Sequence, residues 1–238
     1  MHRGPSIALV PMIVIVGFVS QKGGVGKSTL SRALATSAAA AGTTVTIADL
    51  DIQQETVKRW ADRREEYASG SQVMVASYDT AREAMDSAGE NQLLIIDAPP
   101  RASRGTLEIA RRADLVVQPT GPGIDDLDPA ILLFHQLSRA GIPADKLAMA
   151  LCRVASKSED ELARRYIEKA GYTVLPGSIL ERTAYREAHN RGLSISELKD
   201  LDANSRVLMH GLLGLITASV KTRVEATRAG KRRAGKKT

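Results

Sequence analysis

The stretch Gln21-Lys22-Gly23-Gly24-Val25-Gly26-Lys27-Ser28-Thr29 constrains this chain most, because of what flanks it. The apolar run Ile13 to Val19 precedes it and the alanine-rich run Leu30 to Ala41 follows. An apolar β-branched run, then glycines, then helix formers reads as a strand, a tight turn and a helix N-terminus. That is the geometry of a phosphate cradle. Gly23, Gly24 and Gly26 admit backbone conformations that a Cβ bars, so successive N–H groups, Val25 included, can turn inward onto phosphate oxygens. The helix dipole adds partial positive charge there.

Lys27 supplies a full charge for β- and γ-phosphates, and the neighbouring Ser28 offers a hydroxyl to Mg²⁺, a hard ion that prefers oxygen. Thr29 continues the first turn. The loop departs from the ordinary G-x-x-x-x-G-K-[ST] pattern: Gln21 stands where the first glycine belongs, and a second lysine, Lys22, follows it. The string K-G-G-V-G-K-S-T resembles the deviant Walker A motif of the ParA/MinD family of partition and positioning ATPases. In that family the early lysine reaches across a nucleotide-sandwich dimer to the partner's ATP, and the resemblance gives that role to Lys22. A second cation near the γ-phosphate is suited to stabilising charge in the transition state.

Two acidic segments extend the match. Thr43 to Ala48 reads as a buried strand that ends in Asp49-Leu50-Asp51. Carboxylates at the end of a strand beside a phosphate loop lie where open α/β sheets bind ligands. The segment Ile47 to Gln53 resembles the family's D-x-D-P-Q motif, with Ile52 in place of the proline. The resemblance makes Asp51 the carboxylate that orients or activates attacking water, with Asp49 in support of metal and loop. Leu93-Leu94-Ile95-Ile96-Asp97 is an aliphatic run closed by a carboxylate, as expected for a central parallel strand buried on both faces. It matches the Walker B pattern, which makes Asp97 a Mg²⁺ ligand, through water, and a hydrogen-bond partner of Ser28.

The remaining chain alternates strand-like and helix-like segments. Helices are expected over Ser28–Ala41, Thr56–Tyr67, Thr80–Ala88, Leu107–Arg112, Leu127–Ala140 and Ser158–Ala170, with strands over Gln72–Ser77, Asp114–Gln118 and Leu147–Val154. Trp60, the only tryptophan, reads as an exposed aromatic on a helix, a kind of residue that most often serves packing, and has no assigned role. Cys152 and Arg153 close a strand at a position expected to reach the adenine. The resemblance places Pro119 to Asp126 near the nucleotide and the second subunit, and it extends from about Ile13 to Leu215. The last helix is expected from Asn204 to about Arg223, with an aliphatic face formed by Val207, Leu208, Leu212, Leu215, Ile216 and Val220.

Charge is uneven. Residues 219–238 hold eight Lys or Arg against Glu225, a net of +7, while the whole chain is +6, so the rest sums to about −1. The basic character belongs to the tail. A single cysteine, Cys152, excludes a disulfide within the chain and a cysteine-ligated cluster within one subunit. The N-terminal residues fit a signal peptide poorly, and no run reaches the ~18 apolar residues of a membrane span. A cytoplasmic, nucleoid-associated protein is expected. Met12 offers an alternative start.

These readings converge on one doubly wound, mainly parallel α/β domain of the P-loop NTPase type over residues 12–220, with a disordered extension over 1–11 and a basic tail over 221–238. The resemblance implies a Mg²⁺-dependent ATPase cycling between ATP and ADP as a homodimer. It would hold non-specific DNA in the ATP state and be stimulated by a centromere-binding, ParB-like adaptor in plasmid or chromosome partition. The chain resembles the short partition ATPases, which lack an N-terminal helix-turn-helix domain. A MinD-like membrane-positioning ATPase and an ATP-gated recruitment module in conjugative transfer are the alternatives. Arg182, Arg186 and Arg206 are candidate DNA contacts.

Overall fold

The computed structural model describes residues 13–67, 72–89, 92–101 and 104–234, and beyond Ala218 only the backbone of the last helix. The proposed N-terminal extension and the side chains of the basic tail therefore lie outside the described residues.

Among the described residues, eight strands form one sheet: β1 (Val14–Phe18), β2 (Val45–Asp49), β3 (Met74–Ser77), β4 (Leu93–Asp97), β5 (Leu115–Thr120), β6 (Leu147–Val154), β7 (Thr173–Val174) and β8 (Ile179–Leu180). Their order is β3-β2-β4-β1-β5-β6-β7, with β8 pairing on β6, and every pairing is parallel. This is the expected doubly wound α/β fold. β1, β2, β4 and β5 are buried at every residue, which is why they read as continuous aliphatic runs rather than alternating ones.

Among the described residues, eight α-helices cover both faces: α1 (Lys27–Ala40), α2 (Thr56–Tyr67), α3 (Ala81–Asp86), α4 (Arg104–Arg112), α5 (Ile124–Arg139), α6 (Lys157–Lys169), α7 (Thr183–Asn190) and α8 (Ala203–Ala234). Alternate residues of β1 enter opposite cores. Val14, Val16 and Phe18 pack with Leu30 and Leu34 of α1, Trp60 of α2 and Leu208 and Leu212 of α8. Ile15 and Val19 pack on the other face with Ile109 of α4, Phe134 of α5 and Ile167 of α6. At Gly17 a Cβ would lie 2.3 Å from Ile109 Cγ2, so only glycine lets α4 lie this close to β1.

Element ends differ from the sequence reading in informative places. α5 begins at Ile124 rather than Leu127 because Gly123 is the extended N-cap, and Asp125 and Asp126 then fall in the first turn, where negative charge suits the dipole. α4 also begins earlier, at Arg104. α8 continues to Ala234, past the end of its aliphatic face, so the backbone of the basic segment is helical up to that residue. Trp60 is not exposed: its accessibility is 0%.

Register brings the chemistry together. Phe18 at the end of β1 pairs with Asp97 at the end of β4, and Asp97 in turn pairs with Asp49 at the end of β2. The strand order reverses at β1, between β4 and β5, and ligands bind at such a crevice beyond the carboxyl ends.

Candidate active site

The loop after β1 wraps the N-terminus of α1. Gly24 and Gly26 have φ of 72° and 110°, and Gly26 is the left-handed N-cap of the helix. A Cβ at Gly26 would sit 3.0 Å from Cys152 Sγ, so that position needs glycine for both conformation and space. Ser20 pins the loop entrance: its hydroxyl accepts from Lys22 N at 2.9 Å and donates to Lys22 O at 2.6 Å.

Lys27 is buried and its Nζ donates to Lys22 O at 3.3 Å. Burial lowers its pKa, and Asp97 and Asp51 oppose that shift. Ser28 Oγ donates to Asp97 Oδ2 at 2.6 Å, and Ser31 Oγ lies 3.0 Å from Asp97 Oδ1. Asp97 is inaccessible; burial pushes its carboxyl up to about 6, against the Ser28 bond, which pulls it down. A half-buried hydroxyl and a buried carboxylate on one side of a glycine cradle form a hard-oxygen donor set that fits Mg²⁺ beside a phosphate chain. Among the described residues no group of three His, Cys, Asp or Glu side chains could hold a metal alone.

Asp49 serves the loop. It accepts from the backbone N–H of Asp51 at 3.0 Å, Val57 at 3.1 Å and Lys58 at 3.4 Å, so it fixes both the acidic loop and the start of α2. Burial raises its pKa, and these bonds pull it back. Asp51 lines the main cavity, a space of about 540 Å³, together with Gly23, Gly24, Gly26, Lys27, Ser28, Thr29 and Asp97. Val25 is buried beneath the loop instead.

Lys22 donates to Asp126 Oδ1 on α5 at 2.8 Å, and Arg153 reaches Asp126 Oδ2 at 3.4 Å and Gly24 O at 3.3 Å. One carboxylate thus ties both ends of the glycine turn to α5. Cys152 lies in the cavity wall, its thiol pushed up to about 12 by burial. Arg182 and Arg186 also line this cavity, paired with Asp200 at 3.4 Å and Glu181 at 3.0 Å. Arg206 donates to Leu201 O at 2.9 Å.

Sequence reasoning missed four side chains. Ser31 follows Ser28 by three positions on α1, the spacing that puts two residues on one helix face, and that signal could have found it. Asp126 lay in a segment already placed near the nucleotide, without a role. Arg32 and His189, both in the cavity wall, come from an alanine-rich helix and an unremarkable polar one, and carried no signal.

A glycine loop at a helix N-terminus, a buried lysine and a Ser–Asp pair between the first turn of α1 and the end of β4 define a P-loop nucleotide-binding protein. The CobQ/CobB/MinD/ParA nucleotide binding domain family matches residues 16–195, and the chain belongs to that family of P-loop ATPases, in its deviant Walker A, ParA/MinD branch. MinD in the MinC:MinD cell division complex of Aquifex aeolicus superposes with a TM-score of 0.69 at 17% identity, covering 86% of this chain and 96% of that one. The septum site-determining protein MinD of Pyrococcus horikoshii OT3, in complex with Mg-ADP, gives 0.67 at 17% identity over 84% and 94%. A candidate plasmid partition protein of Borrelia burgdorferi B31 bound to AMPPNP gives 0.67 at 18% identity over 85% and 99%. No curated protein matches the sequence. Among the described residues, no helix is long and apolar enough to cross a membrane.

Proposed function

We propose that the chain is a Mg²⁺-dependent ATPase that works as a nucleotide-switched dimer in DNA partition, closest to the short ParA-type enzymes. It binds non-specific DNA in the ATP state and answers to a centromere-binding, ParB-like partner. The observation that carries this reading is the Ser28–Asp97 hydrogen bond of 2.6 Å, set beside buried Lys27 at the mouth of the glycine turn.

In this reading the loop amides of Gly23 to Thr29 and Lys27 hold the phosphate chain, and Lys27 neutralises charge as the terminal phosphoryl group leaves. Ser28 and Asp97 hold Mg²⁺, which, when bound, polarises the phosphoryl oxygens and shields their charge. Asp51 orients the attacking water. Lys22 completes a partner's site, for which it must leave Asp126. That exchange makes turnover slow until a second subunit supplies a better anion than Asp126. The basic helical segment after Ser219 adds contacts to DNA phosphates.

The test is binding to non-specific duplex DNA with ATP, with ADP and without nucleotide, over a salt series, for the full chain and for a chain ending at Val220. Binding that needs ATP and weakens by about 0.9 log units per tenfold salt for each phosphate neutralised supports the proposal. Binding indifferent to nucleotide overturns it, and ATP-dependent sedimentation with anionic liposomes would then favour membrane positioning.

A further inference from the structure

Away from the phosphate loop, the cavity wall is built by α1, the start of α2 and α7. There Arg32 is 4% exposed and His189 half-buried, and both line the cavity. Arg32 Nη2 donates to Thr56 O at 2.7 Å, but its Nε is buried without a partner, and so is Nε2 of His189. Two side chains that line one cavity and each keep a buried, unpaired nitrogen point to a missing ligand, since buried polar groups are otherwise paired.

Charge narrows what that ligand is. Of the cations that line the cavity, Arg153, Arg182 and Arg186 have carboxylate partners in Asp126, Asp200 and Glu181. Among the described residues Lys27 and Arg32 have none. Lys27 faces the phosphate cradle, which accounts for it. Arg32 is a buried guanidinium in the same state one helical turn further on. The carboxylates that act on it, Asp97 and Asp49, are engaged elsewhere, by Ser28 and by the backbone of Asp51, Val57 and Lys58. Burial brings Arg32 down only to about 10, so it stays charged at neutral pH.

We propose that Arg32 and His189 form an oxyanion subsite of the phosphate class, separate from the γ-phosphate position in the glycine loop. A guanidinium presents donors in a fork that suits tetrahedral oxyanions. His189, held neutral beside Arg32 and Arg63, can accept from the P–OH of a hydrogen phosphate or donate to its oxygen. Arg63 donates to His189 O at 3.3 Å and, with Arg59, lines an adjoining surface hollow that shares Gln54 and Thr56 with the main cavity. The subsite deepens the ATPase reading: free phosphate is the product of that reaction, and a place to hold it would let the ADP form persist before phosphate is lost.

The test is calorimetric titration of inorganic phosphate into the full chain saturated with AMPPNP and Mg²⁺, which fills the γ-phosphate position. We expect saturable binding at one site, weakened about tenfold in Arg32→Met and about threefold in His189→Gln. His189→Gln, at a half-buried position, keeps the test open if Arg32→Met fails to fold. No phosphate binding, binding that both variants leave intact, or binding seen with ADP but abolished by AMPPNP would each overturn the subsite. Should AMPPNP itself not bind, the nucleotide reading fails separately; the titration then runs on the nucleotide-free chain, where loss of binding in Arg32→Met still decides the subsite.

Discussion

The cavity has two walls made by opposite means. On the phosphate-loop wall the donors and acceptors are matched over short distances: Ser28 with Asp97, Lys22 with Asp126, Ser20 with the backbone of Lys22. At and around the α2 and α7 wall the cations are held by stacking, backbone carbonyls and the Glu197 carboxylate. Arg32 and Arg64 flank the ring of Trp60 at 5.7 and 5.3 Å, Trp60 Nε1 donates to Leu193 O at 3.1 Å, and Arg64 forks onto Glu197 at 2.7 and 2.9 Å. Nitrogens of Arg32 and His189 are left over. The difference teaches that the first wall is preorganised as a unit, while the second is a structural joint between α1, α2 and α7 with spare hydrogen-bonding capacity.

The largest effect that would test this division is at the joint. Trp60 is fully buried and touched by three elements, so Trp60→Ala opens a cavity and leaves the Leu193 carbonyl unpaired. We expect a loss of about 3–5 kcal/mol in chemical denaturation. Nucleotide affinity, measured where the variant is still folded, should change less than about threefold, because the Ser28–Asp97 pair rests on the first turn of α1 and the end of β4. An affinity that falls in step with stability would show that the two walls are one unit, and the comparison would break.

The same division explains what could be read in the sequence. The loop wall consists of residues that stand next to each other in the chain or at the ends of aliphatic runs, so Lys27, Ser28, Asp51 and Asp97 were visible from local pattern, as was the parallel sheet. The other wall joins Arg32, Thr56 and His189 across most of the chain, with the Trp60–Leu193 bond outside the cavity lining. Nothing local marks them, and Trp60 in particular sits on a charged helix whose pattern suggests exposure. Element ends followed the same logic: the α5 start at Ile124 depends on Gly123 being extended, which neither periodicity nor the neighbouring Pro122 reveals.

A second effect is acid sensitivity confined to the joint. Burial, with Arg32 and Arg63 nearby, pushes His189 down to about 4 from the usual 6.5. The unfolded chain therefore binds this proton more tightly than the folded one between those values. Stability from this group is complete above about pH 6.5 and is lost as pH falls toward 4, by up to about 3 kcal/mol. Unfolding free energies measured from pH 7 to pH 4 should fall more steeply for the native chain than for His189→Gln. Parallel curves would remove His189 from the account, and an added phosphate that flattens the native curve would tie the acid response to the proposed anion.

The smallest effect sharpens the other wall. Ser31 is fully buried and its hydroxyl is shared between Lys27 O and Asp97 Oδ1, both at 3.0 Å. Its removal leaves Asp97 with the Ser28 bond, so Ser31→Ala should cost about 1–2 kcal/mol, the price of one buried carboxylate oxygen left short of a donor. Because a less well solvated carboxylate is harder to ionise, the variant should also need more Mg²⁺ to reach half-maximal nucleotide binding, by a few-fold. Ser28→Ala removes a donor that also faces the cavity and should raise that requirement further. If Ser31→Ala matched Ser28→Ala in its Mg²⁺ requirement, both hydroxyls would act on the metal through Asp97 alone, and Ser28 would have no direct part in holding it.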